Sequence, residues 1–259
     1  SKLINDNNVI EVLLAIPSMP RMRRNKIIDF LESYPVLVRS LPGVAEIAQG
    51  KVKVSDLHEI SIQDLLGRDS VPANQKLLNL NVAGKAVMIT GAGGSIGSEL
   101  CRQVLLLKPK LLILYELNEF ALYAIDKELL GLNVIDIKIF PILGSVNNTK
   151  RLSRVFKKFG VQTIYHAAAY KHVPMVEFNN TEGVNNNIFG TLNIAKTAIN
   201  ENVGTFVLIS TDKAVRPTNT MGATKRFAEM ILQALSAEQN GTRFTMVRFG
   251  NVLDSSGSV

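Results

Sequence analysis

The chain has 259 residues, 46% hydrophobic and 20% charged, which excludes disorder and collagen-like structure and suits one large domain or one plus a fragment. No apolar run approaches the ~18 residues of a membrane-spanning helix, and a single cysteine, Cys101, excludes an internal disulfide or a multi-cysteine metal site and fits a reducing cytoplasm. The balance of 29 basic to 22 acidic side chains, net +7, favours an anionic partner without choosing among nucleotide phosphate, nucleic acid and an anionic membrane.

The opening SKLINDNNVIEVLL carries no secretory signal and reads as the cut end of something longer. It leads into a predicted strand at 8–16, a helix through about residue 33, a short strand near VLVRS and loops marked by Pro and Gly. Arg21, Arg23, Arg24 and Lys26 precede apolar Ile27, Ile28, Phe30 and Leu31, which fits a solvated helix face or a contact with membrane or phosphate. Residues 1–80 bury too little surface to fold well alone. They are expected to be an N-terminal arm, the end of a preceding α/β domain, packed on the main domain or on a partner. GRDSVPANQ, 67–75, has linker chemistry.

From Lys85 onward strand-like and helix-like segments alternate. KAVMIT (85–90), LLILYE (111–116), VIDIKIF (134–140), QTIYHAA (162–168), TFVLIS (205–210) and RFTMVRF (243–249) read as strands. The helices between them show apolar stripes, Ile96, Leu100, Val104 and Leu107 in one, Phe227, Ile231 and Leu235 in another. Right-handed crossovers then give a doubly wound α/β domain over 81–259 with a parallel sheet covered on both faces.

Where the first strand meets the first helix lies Thr90-Gly91-Ala92-Gly93-Gly94-Ser95-Ile96-Gly97. Glycines permit a tight turn and let backbone N–H groups approach a pyrophosphate, whose charge the helix N-terminus stabilises. Glu116 closes the second strand, where a carboxylate accepts from an adenosine ribose and repels a 2′-phosphate, favouring NAD over NADP. The small residues Ala167, Ala168 and Ala169 after His166 would let backbone lie against a flat ligand. His58, His166 and His172 have no zinc spacing, and no metal is expected.

TGAGGSIG, HAAAYKHVP, ISTDKAVRPTNTMGATKR and RFGNVL, in this order, resemble the extended short-chain dehydrogenase/reductase superfamily. Within it, residues 80–259 resemble the nucleotide-sugar 4,6-dehydratases of bacterial surface polysaccharide and lipopolysaccharide synthesis, the UDP-N-acetylglucosamine 4,6-dehydratase group. The arm resembles the end of the extra domain in the large, membrane-anchored members. The resemblance implies a UDP-sugar substrate, homo-oligomers, no nucleic-acid partner and a cytoplasmic reaction, with a membrane reached only through segments outside this chain. Members also continue past the point where this chain stops, with a C-terminal portion over the nucleotide-sugar that is expected to be absent here.

By the same resemblance Asp212 is the acid for the departing C6 hydroxyl, Lys213 the base for the C5 proton, and Thr211 bonds the sugar near its C4 oxygen. Both Asp212 and Lys213 must be neutral when they act, and burial is expected to shift them so. Lys225, one helical turn after Met221, corresponds to the lysine on the nicotinamide ribose. Met221 occupies the usual tyrosine position and cannot exchange a proton, so Thr211 or Lys225, through a water, is expected to substitute. Ser145 and Val146 match the adenine contact, with serine where relatives often carry aspartate. Lys171 matches a phosphate contact, Val252 a cofactor contact and Asn251 a substrate contact. An epimerase or reductase on the same scaffold, or a dinucleotide-binding protein without catalysis, are the alternatives.

Overall fold

The computed structural model describes residues 73–132, 137–250 and 252 and, within the first 72, segments 9–16, 36–40 and 58–59 with isolated positions between them. The chain divides into two compact units, Ser1–Pro72 and Ala73–Val259. In the first, β1 (Glu11–Leu14) runs parallel to β2 (Leu37–Ser40), and β3 (His58–Glu59), which the sequence did not reveal, pairs antiparallel with β2. The expected helix before residue 33 and the linker up to residue 72 lie largely outside the described residues.

The second unit opens with α1 (Gln75–Leu80), a segment that the sequence assigned to the arm. Then come β4 (Ala86–Thr90), α2 (Ser95–Leu106), β5 (Leu111–Glu116), α3 (Glu119–Gly131), β6 (Lys138–Leu143), α4 (Thr149–Phe159) and β7 (Thr163–His166). After β7 follow α5 (Val173–Phe178), α6 (Asn180–Val184), a π-helical turn (Asn185–Phe189), α7 (Gly190–Asn200), β8 (Thr205–Thr211), a 3₁₀ turn (Asp212–Ala214), α8 (Thr220–Glu238) and β9 (Arg243–Phe249). Strands β4 to β9 form a wholly parallel six-stranded sheet in the order β6-β5-β4-β7-β8-β9. The order reverses direction between β4 and β7, and such a switch opens a crevice at the carboxyl ends of the strands. This is the expected doubly wound architecture.

Side chains alternate across the sheet. Val87, Ile89, Leu112 and Leu114 pack with Cys101, Val104, Leu122 and Ile125 of α2 and α3. Met88, Ile113, Ile164 and Phe206 pack on the other face with Leu152, Ile194, Ala195 and Leu232 of α4, α7 and α8. Both faces are buried, so the central strands read as continuous apolar runs. Burial pushes the Cys101 thiol up to about 12, which leaves it a small hydrophobe. Among the described residues, no helix is long and apolar enough to cross a membrane.

Three expectations are corrected. The third strand of this sheet covers Lys138–Leu143, past the expected end at residue 140 and through Pro141, which an edge strand accommodates because one side has no partner among the described residues; positions 134–136 of the expected span lie outside the described residues. The fourth ends at His166, so Ala167 and Ala168 follow it. Phe227 is 55% exposed; α8 instead buries Met221, Thr224, Lys225, Ala228, Glu229 and Leu232. That face tolerates polar groups because each is bonded. Glu229 accepts from Ser210 of β8 (2.7 Å), from Arg248 of β9 (2.6 and 2.8 Å) and from Arg226 (3.0 Å), tying α8 to two strands. Burial pushes its carboxyl up, but the hydrogen bonds from Arg248, Ser210 and Arg226 outweigh this and bring it down from 4.5 to about 2.

Replacing Glu229 by Gln should cost about 2 kcal/mol or more in chemical denaturation at neutral pH, because Arg248 and Arg226 lose their charged acceptor. A depressed carboxyl stabilises fully above 4.5 and loses its contribution as the pH falls toward about 2, so the gap between native protein and variant should narrow over that window.

Candidate active site

The turn after β4 is built from backbone packed on backbone. Gly91 has φ +66°, and a Cβ there would stand 2.7 Å from the Ala168 nitrogen. A Cβ on Gly97 would overlap the Gly91 carbonyl. Gly94 is the N-cap of α2 and supplies no side-chain bond to the first helical turn, which leaves a cradle fit for an anionic diphosphate. Glu116 helps to shape that cradle: Oε2 accepts from the Gly93 N–H (3.0 Å), and Oε1 from the N–H groups of Leu117 (2.8 Å) and Asn118 (3.0 Å).

A buried hydrogen-bonded chain links the turn to the segment after β7. His166 bonds Thr90 Oγ1 through Nδ1 (2.7 Å) and Thr191 Oγ1 through Nε2 (3.1 Å). Thr191 already donates to the Asn187 carbonyl (2.7 Å), so Nε2 is the donor and Nδ1 accepts from Thr90. Burial and the Lys225 charge bring His166 down to about 3, so the ring is neutral and structural. Asn187, in the π turn, accepts from Tyr170 N–H (2.8 Å) and donates to Tyr170 O and Thr224 Oγ1 (both 3.0 Å). It thereby fixes the loop that carries Lys171 against the helix that carries Lys225. Sequence reasoning missed Asn187; three successive asparagines, poor helix formers, inside a helical stretch were its signal.

At the tip of β8, Thr211 caps the 3₁₀ turn. Its hydroxyl donates to Asp212 Oδ1 (3.0 Å) and accepts from Lys213 N–H (3.3 Å), while Lys213 Nζ stands 3.5 Å from Asp212 Oδ1. The burial expected of both is corrected, and with it the neutral resting state expected of Asp212. Their side chains are 58% and 39% exposed, and the Thr211 hydroxyl, together with Lys213, holds the Asp212 carboxyl below its ordinary value. Gly222 lets α8 approach this turn, since a Cβ there would overlap the Lys213 carbonyl. Met221 is buried, and Lys225 Nζ donates to the Ile209 carbonyl (2.7 Å). Desolvation brings Lys225 down from 10.5 to about 8, against the pull of Glu229.

These pieces meet in one cleft of about 1000 Å³ at the carboxyl ends of the strands. Gly91, Gly93, Gly94, Ser95, Ile96, Gly97, Ala167, Ala169, Lys171, Thr211, Lys213, Met221, Lys225 and Val252 all line it. Asp212 stands at the rim, 3.8 Å from where a Cβ on Gly250 would be. Ala168 is packed on Gly91 instead. Glu116, Ser145 and Val146 do not line it: Ser145 Oγ accepts from the Asn147 N–H (3.2 Å) of its own turn, and Val146 is buried in the core against Gly190. Asn251 lies outside the described residues.

One wall of the cleft was not read from the sequence. It is formed by Tyr170, His172 and the first residues of α5, among them Pro174 and Met175. From α5, Glu177 accepts from both the N–H and the hydroxyl of Thr220 at the start of α8 (2.6 and 2.7 Å), joining this wall to the helix of Met221 and Lys225.

The family model described as polysaccharide biosynthesis protein matches residues 87–259. The chain is 41% identical over 258 residues to the capsular polysaccharide biosynthesis protein CapD of Staphylococcus aureus, spanning 100% of this chain and 43% of that one. It is 35% identical over 180 residues to a UDP-glucose 4-epimerase of Rickettsia akari and 36% identical over 182 residues to a UDP-N-acetylglucosamine 4,6-dehydratase (inverting) of Campylobacter jejuni. Each match takes in 68% of this chain, with 51% of the epimerase and 52% of the dehydratase. The chain thus spans about half the length, or less, of these relatives.

The lowered Lys225 couples folding to pH. Between pH 8 and 10.5 the unfolded chain keeps a proton that the folded chain has released, so this group alone makes stability rise with pH. Cys101 and Tyr115, raised by burial, act in the opposite direction over part of this range in both proteins, so the expected readout is the difference: denaturation of native protein and Lys225→Met between pH 8 and 10.5 should show the stability of the native protein rising relative to the variant.

Proposed function

The chain belongs to the polysaccharide biosynthesis protein family, within the extended short-chain dehydrogenase/reductase superfamily, and from that premise we propose that it dehydrates a UDP-sugar, UDP-N-acetylglucosamine, to a 4-keto-6-deoxy product. The observation that carries the reading is the Asp212–Lys213 pair, 3.5 Å apart beside Thr211, with Thr211 and Lys213 lining the same cleft as Lys225 and the glycine turn and Asp212 at its rim.

The turn from Gly91 to Gly97, with Ala167, Ala169, Lys171, Lys225 and Val252, would hold NAD. When bound, NAD supplies reversible oxidation at sugar C4, which acidifies the C5 proton. The residues then manage two protons. At rest Asp212 is a carboxylate, held down first by the Thr211 hydroxyl. A sugar C4 oxygen that takes over that hydroxyl, and a substrate that excludes water, remove what keeps the pair ionised. One proton shift from Lys213 to Asp212 then gives a neutral amine and a neutral acid. Lys213 takes the C5 proton, Asp212 gives its proton to the C6 hydroxyl, and water leaves. The pair returns to its resting charges, so the step consumes no external acid or base.

Met221 leaves the C4 hydroxyl proton to Thr211 or, through a water, to Lys225, whose lowered value of about 8 lets it accept a proton near neutral pH. Exposed Phe227 and Met230 on α8 support assembly with a second copy. The thiol of Cys101 fits a reducing cytoplasm as the site of the reaction.

Incubation with UDP-N-acetylglucosamine in deuterated water should yield a product lighter by one water and deuterated at C5. Asp212→Asn and Lys213→Met should each lower kcat by about a hundredfold or more while leaving dinucleotide binding intact. A product of unchanged mass would instead identify an epimerase, and tight NAD binding without any turnover a binding protein.

A further inference from the structure

Helix α4 carries Lys150, Arg151, Arg154, Lys157 and Lys158 and no acidic residue. Four of these, Lys150, Arg151, Arg154 and Lys158, rim a second concavity of about 440 Å³ beside the edge strand β6. Among the described residues none of the four has an ion pair; the neighbouring acid, Glu201, is engaged on the other flank by Lys157 (3.6 Å) and by the Ser153 hydroxyl (2.7 Å). Lys150, Arg154 and Lys158 succeed one another at four-residue intervals, a like-charge ladder that disfavours the helix. Lys150 and Arg151 also stand in its first turn, the end where the backbone dipole opposes cations. An arrangement that costs helix stability on one face, around a concavity, is suited to an anion that neutralises it. The floor differs from the rim: Ile142, Val155 and Phe159 give it an apolar character.

We infer that this groove binds a phosphate group, its oxygens held by Arg154, Lys158, Lys150 and Arg151 and the adjoining part of the ligand resting on the apolar floor. The inference does not depend on the chemistry at the cleft. The phosphate can come from a free anion or from a lipid headgroup, and two probes separate them: inorganic pyrophosphate, and dihexanoyl phosphatidic acid kept below its micelle concentration.

Each probe is titrated calorimetrically into the full chain, into Arg154→Gln/Lys158→Gln and into Lys157→Gln, which removes charge from the same helix but outside the groove. The glycine turn is unchanged in all three, so any binding there is common to them. At least one probe should bind the native chain and Lys157→Gln alike and the double variant roughly tenfold more weakly or worse. The probe that responds identifies the source. Equal affinities in all three proteins, an equal loss in both variants, or no saturable binding of either probe would overturn the assignment.

Discussion

Backbone packed on backbone at the ends of β4 and β7 is the constraint from which the rest of the cleft follows. Gly91 leaves no space for a Cβ beside Ala168, and Gly97 none beside the Gly91 carbonyl, so the first turn of α2 lies directly against the strand ends. That close approach directs helical N–H groups into the crevice at the strand-order switch. Glu116 holds the turn from the side through Gly93, and His166 holds it from beneath through Thr90. A side chain at either glycine would force the strands and the helix apart, and the cradle and the β8 tip would no longer face one cleft.

Most of this was legible because its signals are local. β5 and β9 fall where apolar runs LLILYE and RFTMVRF predict them, and the glycine turn lies between strand and helix as its spacing requires. Where reading failed, a non-local fact decided. Pro141 is acceptable in β6 only because that strand is at an edge, and edge position is not written in the strand itself. The α8 stripe held at Leu235, which packs on the core, and failed at Phe227, because the buried face carries Thr224, Lys225 and Glu229, each satisfied by a partner such as Ile209, Ser210 or Arg248. Asn187 and Glu177 act through bonds to Tyr170, Thr224 and Thr220, partners distant in sequence, which one chain read alone does not bring together.

The protonation of the site was the instructive error. Burial was expected to neutralise Asp212 and Lys213, yet they stand at an open rim where the Thr211 hydroxyl favours the carboxylate. The same hydroxyl is the group expected to meet the sugar, so what holds the pair ionised is also what a substrate would remove. Lys225 behaves differently: it is enclosed, bonded to the Ile209 carbonyl and already lowered to about 8 before any ligand arrives. Lys225 is thus tuned by the fold itself, through burial rather than through a ligand.

The central claim is that a bound sugar converts the resting Asp212–Lys213 ion pair into a neutral acid and a neutral base. Carbon-13 NMR of the aspartate carboxyls tests it most directly, with Asp212→Asn to assign the resonance. The dead-end combination of NADH and UDP-N-acetylglucosamine, which contains no oxidant, keeps the sugar intact. An ionised Asp212 carboxylate is expected in the free protein and a protonated carboxyl once both ligands are present at the same neutral pH. An Asp212 resonance that stays at its ionised position with both ligands demonstrably bound would contradict it.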